Sequence, residues 1–192
     1  MPNRTLTYYI GTSLDGFIAG PGGEFDALPI QPDVTAAMNE LHPETVPTAY
    51  RGMVGLEDAP NKRYDTVLMG KGTYLPGLNE GNPSPYSHLK QYVFSSTLDP
   101  ALAEDVDFVT ADPLETVRDL KEQEGQGIWL CGGGLLAGAL VSEIDEIIVK
   151  RYTVLFGTGI PMFAGAYEPV PFTLTETRTF DSGAAIQTYR KA

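Results

Sequence analysis

The sequence predicts an α/β domain of three layers, built on a mainly parallel central sheet with an antiparallel hairpin at the C-terminal end. Three observations carry that expectation. Apolar runs of strand length at residues 66–69, 91–94 and 128–131 each end in a small, polar or glycine-rich turn. Helical patterning recurs between such runs, which is the signature of strands joined by crossover helices. The last part of the chain instead reads alternation, turn, alternation, with Asp181-Ser182-Gly183 between the halves.

The elements follow in order. Leu6, Tyr8 and Ile10 alternate with Thr5, Thr7 and Tyr9, giving a first strand. Gly16, Gly20, Pro21, Gly22 and Gly23 then mark a long turning loop. Asp33 is expected to cap a helix that carries Val34, Met38 and Leu41 on one side. Residues 43–62 give a weak pattern, with a short helix expected at 49–56. After the strand at 66–69, Gly70-Lys71-Gly72-Thr73 opens a helix; after that at 91–94 come Ser95 and Ser96. Asp112-Pro113-Leu114-Glu115 combines a capping acid, a proline at the first helical position and an acid three residues after the cap. The strand at 128–131 runs into Gly132-Gly133-Gly134 and a small-residue helix at 135–141, and residues 146–152 form a further strand. Asp145 and Glu146 are expected to brace its entry. The hairpin pairs residues 172–178 with 184–190.

Composition narrows the function. The chain has 192 residues and no internal repeat or low-complexity linker, so one domain covering residues 1–192 is expected. Cys131 is the only cysteine, which excludes an intramolecular disulfide framework and a cysteine-rich zinc site. His42 and His88 are the only histidines, read as surface or capping residues; no metal centre is expected. A net charge of −12 disfavours nonspecific binding to nucleic acid or to anionic membranes. With no signal-peptide pattern at the N-terminus, a cytoplasmic protein is expected.

Ligands of open α/β sheets sit beyond the carboxyl ends of the strands, so the three turns are expected to face one crevice. Gly132, Gly133 and Gly134 lack side chains, which lets backbone approach a pyrophosphate. Alone, the triplet reads equally well as a tight strand-to-helix turn. Gly70-Lys71-Gly72-Thr73 adds a cation and a hydroxyl but is not a Walker A loop, since Lys71 is followed by Gly72. Gly132-x-Gly134-x-x-Ala137 fits a relaxed Rossmann fingerprint, yet it lies late in the chain, and Lys150-Arg151-Tyr152 stands where an acid is expected.

Together these segments resemble the dihydrofolate-reductase-like superfamily, specifically the RibD C-terminal-domain family of riboflavin-biosynthesis reductases. The resemblance rests on Ser13-Leu14-Asp15-Gly16-Phe17-Ile18-Ala19, on residues 67–74, on Gly132-Gly133-Gly134 with Leu135, and on Asp145-Glu146 followed by residues 155–163. It implies a dihydrofolate-reductase-like fold and NADPH as cofactor. By position, Gly132, Gly133, Gly134 and Leu135 would hold the pyrophosphate. Gly70, Lys71, Gly72, Thr73, Ser95 and Ser96 would lie along the adenosine and its 2′-phosphate. Asp15 becomes the candidate catalytic residue, orienting the substrate or supplying a proton; as an Asp-Gly pair it is also an ordinary turn former. Tyr74 either contacts substrate or packs its helix. The resemblance further implies a small-molecule substrate and a homodimer.

Phe17 stands where the family pattern has lysine, and the family's downstream Ser-Arg…His-x-Leu-Arg segment is absent. No deaminase domain precedes the reductase part, so the expectation is a stand-alone reductase, of which a 5-amino-6-(5-phosphoribosylamino)uracil reductase is the specific form. The alternative from another class is a non-catalytic module that senses NADP(H).

Overall fold

The computed structural model describes residues 4–192. Met1, Pro2 and Asn3, part of the segment read for a signal pattern, lie outside the described residues. In chain order the elements are β1 (Leu6–Thr12), β2 (Phe17–Ala19), α1 (Pro32–Leu41), α2 (Thr48–Arg51), β3 (Tyr64–Gly70), α3 (Lys71–Asn79), β4 (Lys90–Phe94) and β5 (Val106–Val109). They continue as α4 (Pro113–Glu122), β6 (Gly127–Gly132), α5 (Gly134–Ala139), β7 (Glu146–Arg151), β8 (Ile160–Pro161), β9 (Phe172–Thr179) and β10 (Ala185–Lys191).

Eight strands form one sheet in the order β5-β4-β3-β6-β1-β7-β10-β9. Every pairing from β5 to β7 is parallel, and β10 runs antiparallel to both β7 and β9. The expected architecture is therefore present, hairpin included. Two apolar layers flank the sheet. One gathers Tyr9, Val34, Met38, Val67, Trp129 and Ile148 beneath α1. The other gathers Tyr8, Leu68, Val117, Leu130, Leu136 and Val149 beneath α4 and α5. Alternate residues of β1 and β7 serve opposite layers, as a two-sided buried sheet requires.

Local chemistry explains most boundaries. Asp112 caps α4, its carboxylate accepting from the backbone N–H of Leu114 at 2.7 Å and of Glu115 at 3.3 Å. Asp33 does not cap α1. Proline at position 32 already starts that helix, so the cap residue is Gln31 and Asp33 falls inside the first turn. Its carboxylate instead reaches Ser182 of the distant hairpin turn, accepting from the backbone N–H at 3.0 Å. The short helix expected at 49–56 is α2 followed by a 3-10 turn at Gly52–Val54. Strand β5 and the small antiparallel pair β2–β8 carry no expectation from sequence. Among the described residues, no helix is long and apolar enough to cross a membrane.

Candidate active site

Register shows where the sheet opens. The β1–β6 ladder runs only from Leu6↔Ile128 to Tyr8↔Leu130. On the other side of β1, pairing with β7 continues to Thr12↔Arg151. Strands β1 and β6 therefore part towards their carboxyl ends, leaving facing backbone edges without ladder partners. This is the split at which a flat group can enter the sheet.

Beside the split, the three turns expected from sequence come together. A Cβ on Gly70 would sit 3.5 Å from the backbone N of Gly133 and 3.6 Å from the carbonyl O of Gly132. The Thr73 hydroxyl lies 3.3 Å from where a Cβ on Gly132 would stand and 3.6 Å from that on Gly133. Lys71 Nζ donates to Thr97 Oγ1 at 2.7 Å, which ties the turn at 70–73 to the one that begins at Ser95. Lys71 and Gly72 are exposed, and no atom lies within 4 Å of a Cβ built on Gly72. Gly70 caps α3 with no side-chain hydrogen bond, so the first N–H groups of that helix face outwards unclaimed.

The individual residues divide by role. Gly132 has φ +143°, a conformation that glycine alone adopts readily. Gly134 is buried, and a Cβ there would overlap the Pro161 carbonyl, so its missing side chain serves packing of the 160s segment. Leu135 is exposed on the first turn of α5. Ser95 Oγ accepts from the N–H groups of Thr97 and Leu98, both at 3.2 Å, and shapes its turn; Ser96 is exposed. Tyr74 is fully buried, donating to the Pro83 carbonyl at 2.6 Å, so it packs its helix.

Asp15 lies on the other side of the split, in the loop leaving β1. Its carboxylate accepts from Ser13 Oγ at 2.6 Å, Gly157 N–H at 2.7 Å and Phe156 N–H at 3.2 Å. Those donors, the Ser13 hydroxyl first, hold its pKa down to about 2. Held this way, the carboxylate is ionised near neutral pH in the free chain. Its visible work is to tie the 13–17 loop to the loop following β7, assisted by Leu14 N–H donating to the Val154 carbonyl at 2.8 Å.

Of the surface or capping role expected for the histidines, His42 takes the capping one: it ends α1, its backbone N–H donating to the Met38 carbonyl at 2.7 Å. His42 is buried against the Tyr64 ring, and burial, followed by the charge of Arg63, lowers its pKa to about 4. His88 Nδ1 meets Thr48 Oγ1 at 2.7 Å and its Nε2 meets the Glu44 carbonyl at 2.9 Å. His42 lies in the core, whereas His88 is half-buried. Burial pushes the Cys131 thiol up to about 11, so it is no nucleophile at neutral pH. No cluster of metal ligands occurs among the described residues.

Sequence reasoning missed Lys150. It stands at the carboxyl end of β7 opposite Gly11, with Nζ 4.2 Å from the centre of the Tyr9 ring. The available signal was a lysine directly after the apolar run Ile147-Ile148-Val149. A cavity of about 400 Å³, lined by Met38, His42, Arg63, Glu146 and Arg190 among others, lies towards the amino end of β7 and includes none of the expected site residues.

Comparison with known proteins bears on the family and the fold. The family model of the RibD C-terminal domain matches residues 4–186. The uncharacterised protein YwjB of Bacillus subtilis (strain 168) is 31% identical over 186 residues, covering 96% of this chain and 95% of its own. A second protein of that organism, YyaP, is 29% identical over 198 residues, covering 95% of this chain and 93% of its own. Among solved structures, a riboflavin-biosynthesis protein homologue from Shewanella sp. PV-4 superposes with a TM-score of 0.70 at 22% identity, covering 98% and 99% of the two chains. A deaminase/5-amino-6-(5-phosphoribosylamino)uracil reductase from Thermotoga maritima gives 0.66 at 17% identity; 99% of this chain spans 57% of that one. Dihydrofolate reductase from Enterococcus faecalis, complexed with NADP(H), gives 0.63 at 14% identity over 97% and 96%.

Proposed function

The chain belongs to the RibD C-terminal domain family, and from that premise we propose that it is an NADPH-dependent reductase of a small polar substrate. The observation that carries this reading is the meeting of three strand-end turns beside a split in the sheet. The residues present fit the cofactor. The unclaimed N–H groups at the start of α3 and the side-chain-free edge at Gly132 and Gly133 suit a pyrophosphate. Lys71, Thr73 and open Gly72 suit a 2′-phosphate, and the parted edges of β1 and β6 suit a flat carboxamide that both donates and accepts.

When bound, NADPH supplies a hydride; the chain's own residues bind and orient. Lys71 neutralises phosphate charge in a protein of net charge −12. Asp15 positions the loop that closes one wall of the split, fixing where a substrate rests against it. A carbonyl or C=N carbon is the acceptor in this reading. The pyrimidine substrate of the Thermotoga maritima reductase heads the panel to try, and the working unit is a homodimer.

Fluorescence titration with NADPH and NADH tests the assignment. Tighter binding of NADPH, weakened about five- to tenfold in Lys71→Ala, is expected for one lost phosphate contact. No binding of either nucleotide at millimolar concentration would sink the reading and leave only the fold.

A further inference from the structure

On the α1 side of the sheet's carboxyl edge two cations have no carboxylate partner among the described residues: Arg178, which stacks on the Phe180 ring, and Lys150, which of the two alone pairs with β1. Among the described residues Lys150 makes neither ion pair nor hydrogen bond. Its position is fixed by register: β7 pairs Lys150 with Gly11 of β1 on one side and Ile186 of β10 on the other. Its stem lies along the strand, with Cε 3.8 Å from where a Cβ on Gly11 would stand, and the Tyr152 ring approaches the same point at 3.1 Å. The groups facing it are Tyr9 of β1, Cys131 of β6, Tyr152 beyond β7 and His42 after α1. Tyr9, Tyr152 and Cys131 are all held protonated by burial, so none supplies a negative charge near neutral pH. An ammonium half out of water with a π face as its only partner is a group awaiting an acceptor.

We propose that Lys150 is the substrate-binding cation of this site, and that the substrate is a small planar molecule presenting an anionic or strongly accepting oxygen or nitrogen to it. The proposal rests on the reductase reading above. Lys150 stands next to β1, the strand that borders the split, on the face lined by Tyr9 and Trp129. A planar molecule at the carboxyl end of that face, beyond the buried Tyr9 and Trp129, meets the split with one edge and Nζ with its heteroatom. As the substrate carbon gains a hydride, the π pair of its C=N or C=O bond moves to the heteroatom. One N–H bond of Lys150 then breaks as the proton joins that heteroatom, and the neutral amine regains a proton from water. Burial lowers the Lys150 pKa to about 8, which eases that transfer while leaving the side chain mostly charged at neutral pH.

Pyridoxal 5′-phosphate, a planar anionic aldehyde, is the probe. Brief exposure of the full chain at pH 7.5, trapping with borohydride and peptide mapping should modify Lys150 at least tenfold faster than Lys71 or Lys191. Lys150→Met should abolish that preference while keeping the thermal midpoint and an NADPH affinity within twofold of wild type. Labelling of Lys150 no faster than the other lysines overturns the proposal. So does a folded Lys150→Met that no longer binds NADPH, since Lys150 then belongs to the cofactor. Failure of the wild-type chain to bind NADPH removes the reductase reading and the proton step with it, whatever the labelling shows.

Discussion

At the amino ends of the parallel strands, charge is matched with charge. Arg4 meets Asp65, Lys121 meets Asp145 at 2.8 Å, and Arg63 meets the buried Glu146 at 2.6 Å. Asp145 also accepts from the N–H of Leu6 at 2.7 Å, and Glu44 from those of Arg63 and Tyr64 at 2.7 and 2.9 Å. At the carboxyl ends the cations find weaker company: Lys71 has the hydroxyl of Thr97 and Lys150 has the ring of Tyr9. The strands are alike in composition, so the difference lies in what each end is for. Charges answered within the chain hold strand ends in place; charges left over are available to a ligand.

The contrast breaks most sharply through glycines. A Cβ on Gly138 would overlap the Ala164 carbonyl, so Gly138→Ala should lower stability by about 3 kcal/mol, read from chemical unfolding. At the amino ends, Glu44→Ala strands two backbone N–H groups and should cost about 2 kcal/mol by the same measurement. A loss under 0.5 kcal/mol would remove Glu44 from the bracing network.

His42 gives a pH test of the layer beneath α1. Its pKa is depressed from 6.5 to about 4, so the unfolded chain binds the proton more tightly. The stability this supplies is whole above about pH 6.5 and falls away towards pH 4, by roughly 3 kcal/mol at most. His42→Phe should flatten that part of the melting profile. Asp15 has a depressed pKa too, so its contribution persists above about pH 4 and disappears as pH falls through about 2. The smallest effect on folding comes at the carboxyl ends. Gly72→Ala meets open space inside a helix and should gain about 0.5–1 kcal/mol of stability while weakening NADPH binding. A gain without loss of binding would move the phosphates elsewhere.

Long apolar strands and capped helices were legible because period and capping chemistry are local. Asp112 announced α4 through its own neighbours. Asp33 misled because a carboxylate near a proline satisfies the same pattern whether it caps the helix or, as here, reaches a turn 149 residues away. Strands β2 and β8 escaped notice because they are three and two residues long and find each other across the chain. The glycine turns were visible as a set, yet nothing local distinguished Gly134, kept clear for Pro161, from Gly132 and Gly133, which border the split.

By itself the sequence determined the alternation of strands and helices, the terminal hairpin and the three turns that converge, all of them properties of residues near one another along the chain. Only the tertiary structure decided which charges are answered. It gave Asp15 to a loop brace, buried His42 and left Lys150 without a carboxylate. Pairing and burial of a charged group depend on strand register and on contacts across more than a hundred residues, and no local pattern encodes those.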